Sequence, residues 1–127
     1  MKTLSVLFII TLLTGCKLDL PAFDSGSLAE FQADGRVVKN ELSDFQIKTF
    51  SEWLRTHQEG WESRVEDTPP RLMVNLKRGG AIVAVANIGE REIKVKDHVR
   101  VLTSDERARL GTILTSFIDT PEANQAP

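Results

Sequence analysis

Few side chains in this 127-residue chain carry reactive chemistry: one cysteine, two histidines and a short run of cations. In "REIKVKDHVRV", Lys94, Lys96, His98 and Arg100 fall at alternate positions. An extended strand sets such residues on one face, about 6.6 to 7 Å apart. A row of positive charge of this kind suits lipid phosphates or an acidic protein surface; the plainer reading is an ordinary solvated sheet face. Trp61, directly after Gly60, also has two readings, an exposed contact anchor or a side chain that closes the core. The remaining reactive group is the lone thiol of Cys16, and its place in the chain says most.

Cys16 ends the stretch "MKTLSVLFIITLLTGC". Lys2 supplies a positive start, and Leu4 to Leu13 form an apolar run interrupted only by Ser5 and Thr11. A bilayer-spanning helix needs about 20 apolar residues, so this run is too short to span but fits an export signal. Its close, Leu13-Thr14-Gly15-Cys16, resembles the lipobox of bacterial lipoproteins. The resemblance implies cleavage before Cys16, a diacylglycerol on its sulfur and an N-acyl chain on its new amino group. Two or more acyl chains anchor stably where one is marginal. Lipidation also accounts for an odd cysteine in an exported chain, which otherwise leaves a free thiol or an intermolecular bridge. Lys17 follows the cysteine, and within this class a residue other than aspartate there implies sorting to the outer membrane, facing the periplasm.

No other motif of comparable specificity occurs. Gly-rich phosphate loops, the Gly-x-Ser-x-Gly elbow and His-Glu-x-x-His are all missing from the sequence. His57-Gln58-Glu59 matches the zinc deaminases in letters only, because the cysteine pair that completes their site is absent. At the end of an apolar helix face, His57 reads as a packing residue or as a partner of the helix C-terminal dipole. The sequence therefore nominates no catalytic residue, no metal ligand and no cofactor beyond the covalent lipid. Removing residues 1–15 and with them Lys2 leaves 15 basic against 18 acidic residues, a net charge near −3. That balance gives no support for nucleic-acid binding, which favours a strongly basic domain.

Pattern and punctuation divide the chain into the signal, 1–15; a lipidated N-terminus and flexible tether rich in Pro, Gly, Ser and Asp, 16–27; one globular domain, 28–118; and a frayed tail, 119–127. The first helix is predicted after Ser43, whose hydroxyl forms a capping box with Gln46. Its apolar face is Leu42, Phe45, Phe50, Trp53, Leu54 and His57, and Leu42 and Ile47 staple the start. The second follows Thr103 and Glu106, another box, with Leu110, Ile113, Leu114, Phe117 and Ile118 as its stripe. Between them "RLMVNLK", "RGG" and "AIVAVAN" read as a hairpin turning at Gly79-Gly80. The second of its strands is apolar almost throughout, which suits a central position covered on both faces. "REIKVKDHVRV" reads as one further strand, and Asp34-Gly35 as a hairpin turn earlier in the chain. The expected fold is α+β, a small antiparallel sheet of three to five strands with two amphipathic helices packed on one face.

Together these readings describe a membrane-anchored, periplasm-facing lipoprotein of the cell envelope, non-enzymatic, acting as an accessory or protein-binding module toward an envelope partner. An inhibitor or immunity protein against a secreted or cell-wall-directed enzyme is the alternative; a loop or groove shaped to plug an active site distinguishes it. An envelope hydrolase needs a cluster of titratable groups that the sequence does not display.

Overall fold

The computed structural model describes residues 18–66 and 69–125, with side chains described as far as Thr115. Residues 1–15, expected to be a signal, and Cys16 with its expected lipid lie outside the described residues. In chain order the elements are β1 (Ser25–Phe31), β2 (Val37–Glu41), α1 (Asp44–Thr56), β3 (Glu62–Ser63), β4 (Leu72–Arg78), β5 (Ala81–Ile88), β6 (Glu92–Val95), β7 (His98–Val101) and α2 (Ser104–Gln125). The strands form one seven-stranded sheet in the order β2-β1-β4-β5-β6-β7-β3. Every neighbouring pair is antiparallel. Among the described residues the class is therefore α+β with a single antiparallel sheet and two helices, and the expected three to five strands are corrected to seven.

The miscount has local causes. "REIKVKDHVRV" is not one strand: it turns back at Lys96-Asp97, and Val95 pairs with His98, Ile93 with Arg100. The short β3 pairs beyond it, Glu62 with Val99 and Ser63 with His98. At the other end, β1 begins at Ser25, inside the stretch expected to be a tether. That expectation is corrected further upstream. Leu18 is buried in the core with Leu20 and Phe23 packed against it, and the Leu18 N–H donates to the Gln58 carbonyl at 3.0 Å. The three apolar side chains account for this, since leaving them in water forgoes about 1.5–3 kcal/mol for each one fully buried. Gly26 belongs to the same correction. A Cβ there would stand 2.8 Å from the Asn75 carbonyl oxygen and 3.0 Å from Ile47 Cδ1, so the glycine permits close packing rather than flexibility.

Alternation along the strands sorts the sheet into two faces. Leu28, Leu72, Val74, Leu76, Ala84, Ala86, Ile88, Ile93 and Val95 share one buried cluster with Ile47, Phe50, Trp53 and Leu54 of α1 and Leu110, Ile113 and Leu114 of α2. The hairpin β4–β5 turns where predicted, with φ of +60° at Gly79 and +87° at Gly80. β5 is the central strand, yet only its Ala84, Ala86 and Ile88 are buried; Val83, the extra residue where the β4–β5 register shifts, is half-buried against the core, and Val85 and Asn87 on the other side are half-buried too.

Both predicted capping boxes form. Gln46 N–H donates to Ser43 Oγ at 3.1 Å, and Ser43 N–H to Gln46 Oε1 at 2.8 Å. The apolar face of α1 is rotated from the predicted one: Phe45 is 75% exposed, and Ile47 takes its place inside. Gln46 is buried as well, because its Nε2 donates to the Ile113 and Leu114 carbonyls of α2, each at 3.2 Å. A polar side chain is tolerated there because its donors are satisfied. α2 continues to Gln125, so its backbone takes in most of the stretch read as a tail; Phe117 and Ile118 of its predicted stripe lie outside the described side chains.

Candidate functional site

The predicted cationic row does not exist as a row. A turn that pairs residue 95 with residue 98 inverts the parity of whatever follows it, so Lys94 shares a face with Val99, while His98 and Arg100 share the opposite face with Val95 and Ile93. Lys94 is 7% exposed. Its ammonium donates to the carbonyls of Val65 at 3.1 Å and Glu66 at 2.9 Å, so it ties the loop after β3 to the sheet. Lys96 stands in the turn itself, exposed and with φ of +56°. His98 is half-buried between β6 and β3. Trp61 is a core residue, 2% exposed, and its indole N–H donates to the His57 carbonyl at 2.6 Å. The interaction surface proposed from Lys94, Lys96, His98, Arg100 and Trp61 is therefore dispersed.

Arg100 instead joins a polar cluster that sequence distance conceals. Its Nε donates to the Glu59 carbonyl at 3.1 Å, one terminal nitrogen donates to Glu106 Oε1 at 3.0 Å, and the guanidinium lies 5.8 Å from the Trp53 ring centre. His57 caps the end of α1 and stacks on Trp53, with ring centres 4.0 Å apart and planes 10° from parallel. The His57 Nδ1–H donates to the Trp53 carbonyl at 2.7 Å, leaving Nε2 3.5 Å from Glu106 Oε2. Glu106 closes its own capping box, accepting from Thr103 N–H at 2.9 Å. Partial burial opposes the ionisation of this carboxyl. The Thr103 N–H, Arg100 and His57 outweigh it, and the pKa falls below the usual glutamate value.

A histidine beside a glutamate has the parts of an acid–base pair. Here the pair's polar atoms have partners within the protein, while the His57 and Glu106 side chains remain 25% and 20% exposed. A groove of about 370 Å³ runs past the cluster between α1 and α2. The two threonine hydroxyls on its wall, Thr49 and Thr56, donate to carbonyls of their own helix. The arrangement ties the end of α1, strand β7 and the start of α2 together. Among the described residues no group of three or more His, Cys, Asp or Glu side chains is placed to hold a metal ion.

The other face of the sheet is where the molecule is open. Between β2, β1 and β4 lies a depression of about 660 Å³, lined by Ala29, Phe31, Val37, Lys39, Glu41 and Met73 among others. β2 is the end strand of the sheet, and its Val37 is 44% exposed. Leu42 N–H donates to the Gly26 carbonyl and Gln32 N–H to the Arg36 carbonyl, which fixes the phase of the β1–β2 ladder. In an antiparallel pair alternate residues exchange bonds. Val38 and Asn40 thus bond inward to Glu30 and Leu28, and the N–H and C=O groups of Val37, Lys39 and Glu41 point out along the free edge. The sequence signal for this edge was the Asp34-Gly35 turn followed by Val37 and Val38; the pairing partner that makes it an edge was not legible. For Glu106 and Arg100 the capping pattern was visible but the bond between them was not.

Among the described residues no helix is long and apolar enough to cross a membrane. Comparison with protein-family models, with curated proteins and with solved structures finds no match to the chain.

Proposed function

We propose that this chain is a lipid-anchored, non-enzymatic protein of the cell envelope, held through Cys16 in the outer membrane on its periplasmic side, that binds an extended segment of a partner protein along β2. The anchor rests on the Leu13-Thr14-Gly15-Cys16 motif at the end of the apolar run. The observation that carries the binding role is the bare edge of β2 beside the 660 Å³ depression. An exposed edge offers unpaired donors and acceptors that a further strand satisfies, and flanking side-chain pockets supply selectivity. Lys39 and Glu41 share the open face, so the fitting segment carries an acidic residue opposite Lys39 and a basic one opposite Glu41, with an apolar side chain over Val37 and Phe31.

The experiment uses the full-length protein extracted from its own membrane. Lys39→Pro removes an outward N–H and leaves the bonds of Val38 and Asn40 to β1 in place; proline is accommodated on edge strands. Partners recovered with the wild type are expected to be lost with Lys39→Pro and retained with Lys39→Ala. The same partners at the same yield from the proline variant would sink the edge as the binding element. The anchor is tested apart from it by a clickable fatty acid, expected on the wild type and absent from Cys16→Ser.

A further inference from the structure

The core packing of Leu18 sets how far the domain stands from its membrane. Cys16 is two positions before Leu18 in the chain. Two residues of fully extended chain reach at most about 7 Å. A flexible tether over residues 16–27 would instead allow a root-mean-square separation of about 20 Å. The difference arises because Leu18 is 6% exposed, within the core cluster, and bonded at its N–H to the Gln58 carbonyl just past the end of α1.

From this we infer that the end of the molecule formed by Leu18–Phe23 and the last turn of α1 rests directly on the lipid headgroups. The inference rests on the lipidation of Cys16 and commits to a phospholipid surface as the occupant of that end. Reach makes the case: a cysteine whose acyl chains lie in the bilayer holds a group about 7 Å away no farther out than the headgroups, whose layer is roughly 5–7 Å deep on each side of a bilayer. No net positive charge is needed, and the end carries both signs, with Asp19 and Glu59 beside Arg55. Arg55, paired with Glu52 and 65% exposed at its side chain, and Gln58 line the surface against the N-terminal segment. α1 is 13 residues long, so its first turn lies about 20 Å from this end. β2 runs into that first turn through Leu42 and Ser43, which sets the Glu41 end of the free edge at the same remove from the anchor.

The test compares the two ends of α1 in the full lipidated protein reconstituted in phosphatidylethanolamine–phosphatidylglycerol vesicles that contain a headgroup-nitroxide lipid. Cys16 is the only cysteine and is acylated, so Gln58→Cys and Phe45→Cys each carry a single fluorophore, both at exposed positions. Quenching at residue 58 is expected to exceed that at residue 45 several-fold. Inserting twelve Gly/Ser residues between Lys17 and Leu18 should reduce it to the residue 45 level. Equal quenching at both positions, in protein that floats with the vesicles, overturns the docked end and leaves the anchor standing. Protein that neither floats nor takes up a fatty-acid label overturns the anchor and the docking with it.

Discussion

Two hairpins of one sheet, β1–β2 and β6–β7, both bring lysines to the surface region of the molecule, and they are put to opposite use. At β6–β7 the charges turn inward: Lys94 holds the carbonyls of Val65 and Glu66, Arg100 holds Glu59 and Glu106, and Arg64 reaches both oxygens of Glu92 at 3.1 Å. The outer side of β7 is covered by β3. At β1–β2 the outer strand pairs, among the described residues, on one side only, and Lys39 and Glu41 are exposed along its outer edge. Charge density in the sequence thus marked the end that is closed. The open end is marked by backbone valence, which no count of cations reveals.

The largest effect that separates the two ends is in the core behind β7. Trp61→Ala is expected to lower unfolding free energy by about 3–5 kcal/mol, the range for truncating a large buried aromatic. Lys39→Ala at the open end should stay within about 0.5 kcal/mol, as exposed substitutions do. Urea melting of both variants measures this, and comparable losses would break the distinction between a closed and an open end. Glu106→Gln comes next, at about 1–2 kcal/mol, since it removes a charge-assisted bond to Arg100 and weakens the α2 cap. Because the folded-state pKa of Glu106 is depressed, its contribution is present above the unfolded value, near pH 4.3, and is lost as pH falls through the lower folded value. The gap between wild type and Glu106→Gln should therefore be widest at neutral pH and narrow in acid; a gap that does not change would remove the carboxylate from the cluster.

What was legible in the sequence was local. Ser43 with Gln46 and Thr103 with Glu106 announced both helix starts because a capping box is complete within four residues. The β4–β5 hairpin was legible for the same reason, its turn needing two adjacent glycines. Reading failed where a single residue decided a long-range outcome. Period-2 alternation keeps one phase through "REIKVKDHVRV" on both sides of Asp97, and only the left-handed conformation at Lys96, unusual for lysine, turns one strand into two. Leu18, Leu20 and Phe23 did carry an apolar signal, but Pro21, Gly26 and the aspartates around them gave the stronger impression of a tether. Of the candidate site, the cations were found and their faces were not, because face assignment depends on a turn whose type the residues did not announce.

Lys94 gives a smaller and more discriminating test. Lys94→Met keeps the stem that packs on the sheet and deletes the ammonium with its bonds to Val65 and Glu66. Hydrogen bonds from a charged donor are worth about 1.5–3 kcal/mol, but removing a buried charge returns part of its desolvation cost. The expected loss is about 1 kcal/mol, with faster amide exchange at residues 64–66. A loss with no change in that loop would mean Lys94 stabilises the sheet by some other contact.

The smallest effect is at Lys96, and its sign is the informative part. A non-glycine residue in the left-handed region pays about 1–2 kcal/mol, and glycine there is free of that cost but loses about 0.4–1 kcal/mol through the greater freedom of the unfolded chain. Lys96→Gly is therefore expected to stabilise the protein by about 0.5 kcal/mol, read as a rise in urea midpoint at unchanged slope. Lys96 is the one residue of the supposed row that is fully at the surface, so the same variant asks whether a cation at this end contributes to binding. Partner recovery should equal that of the wild type, in contrast to its loss with Lys39→Pro. If Lys96→Gly were to lower recovery while raising stability, the closed end would be an interface after all, carried by the single charge that the parity inversion leaves facing water.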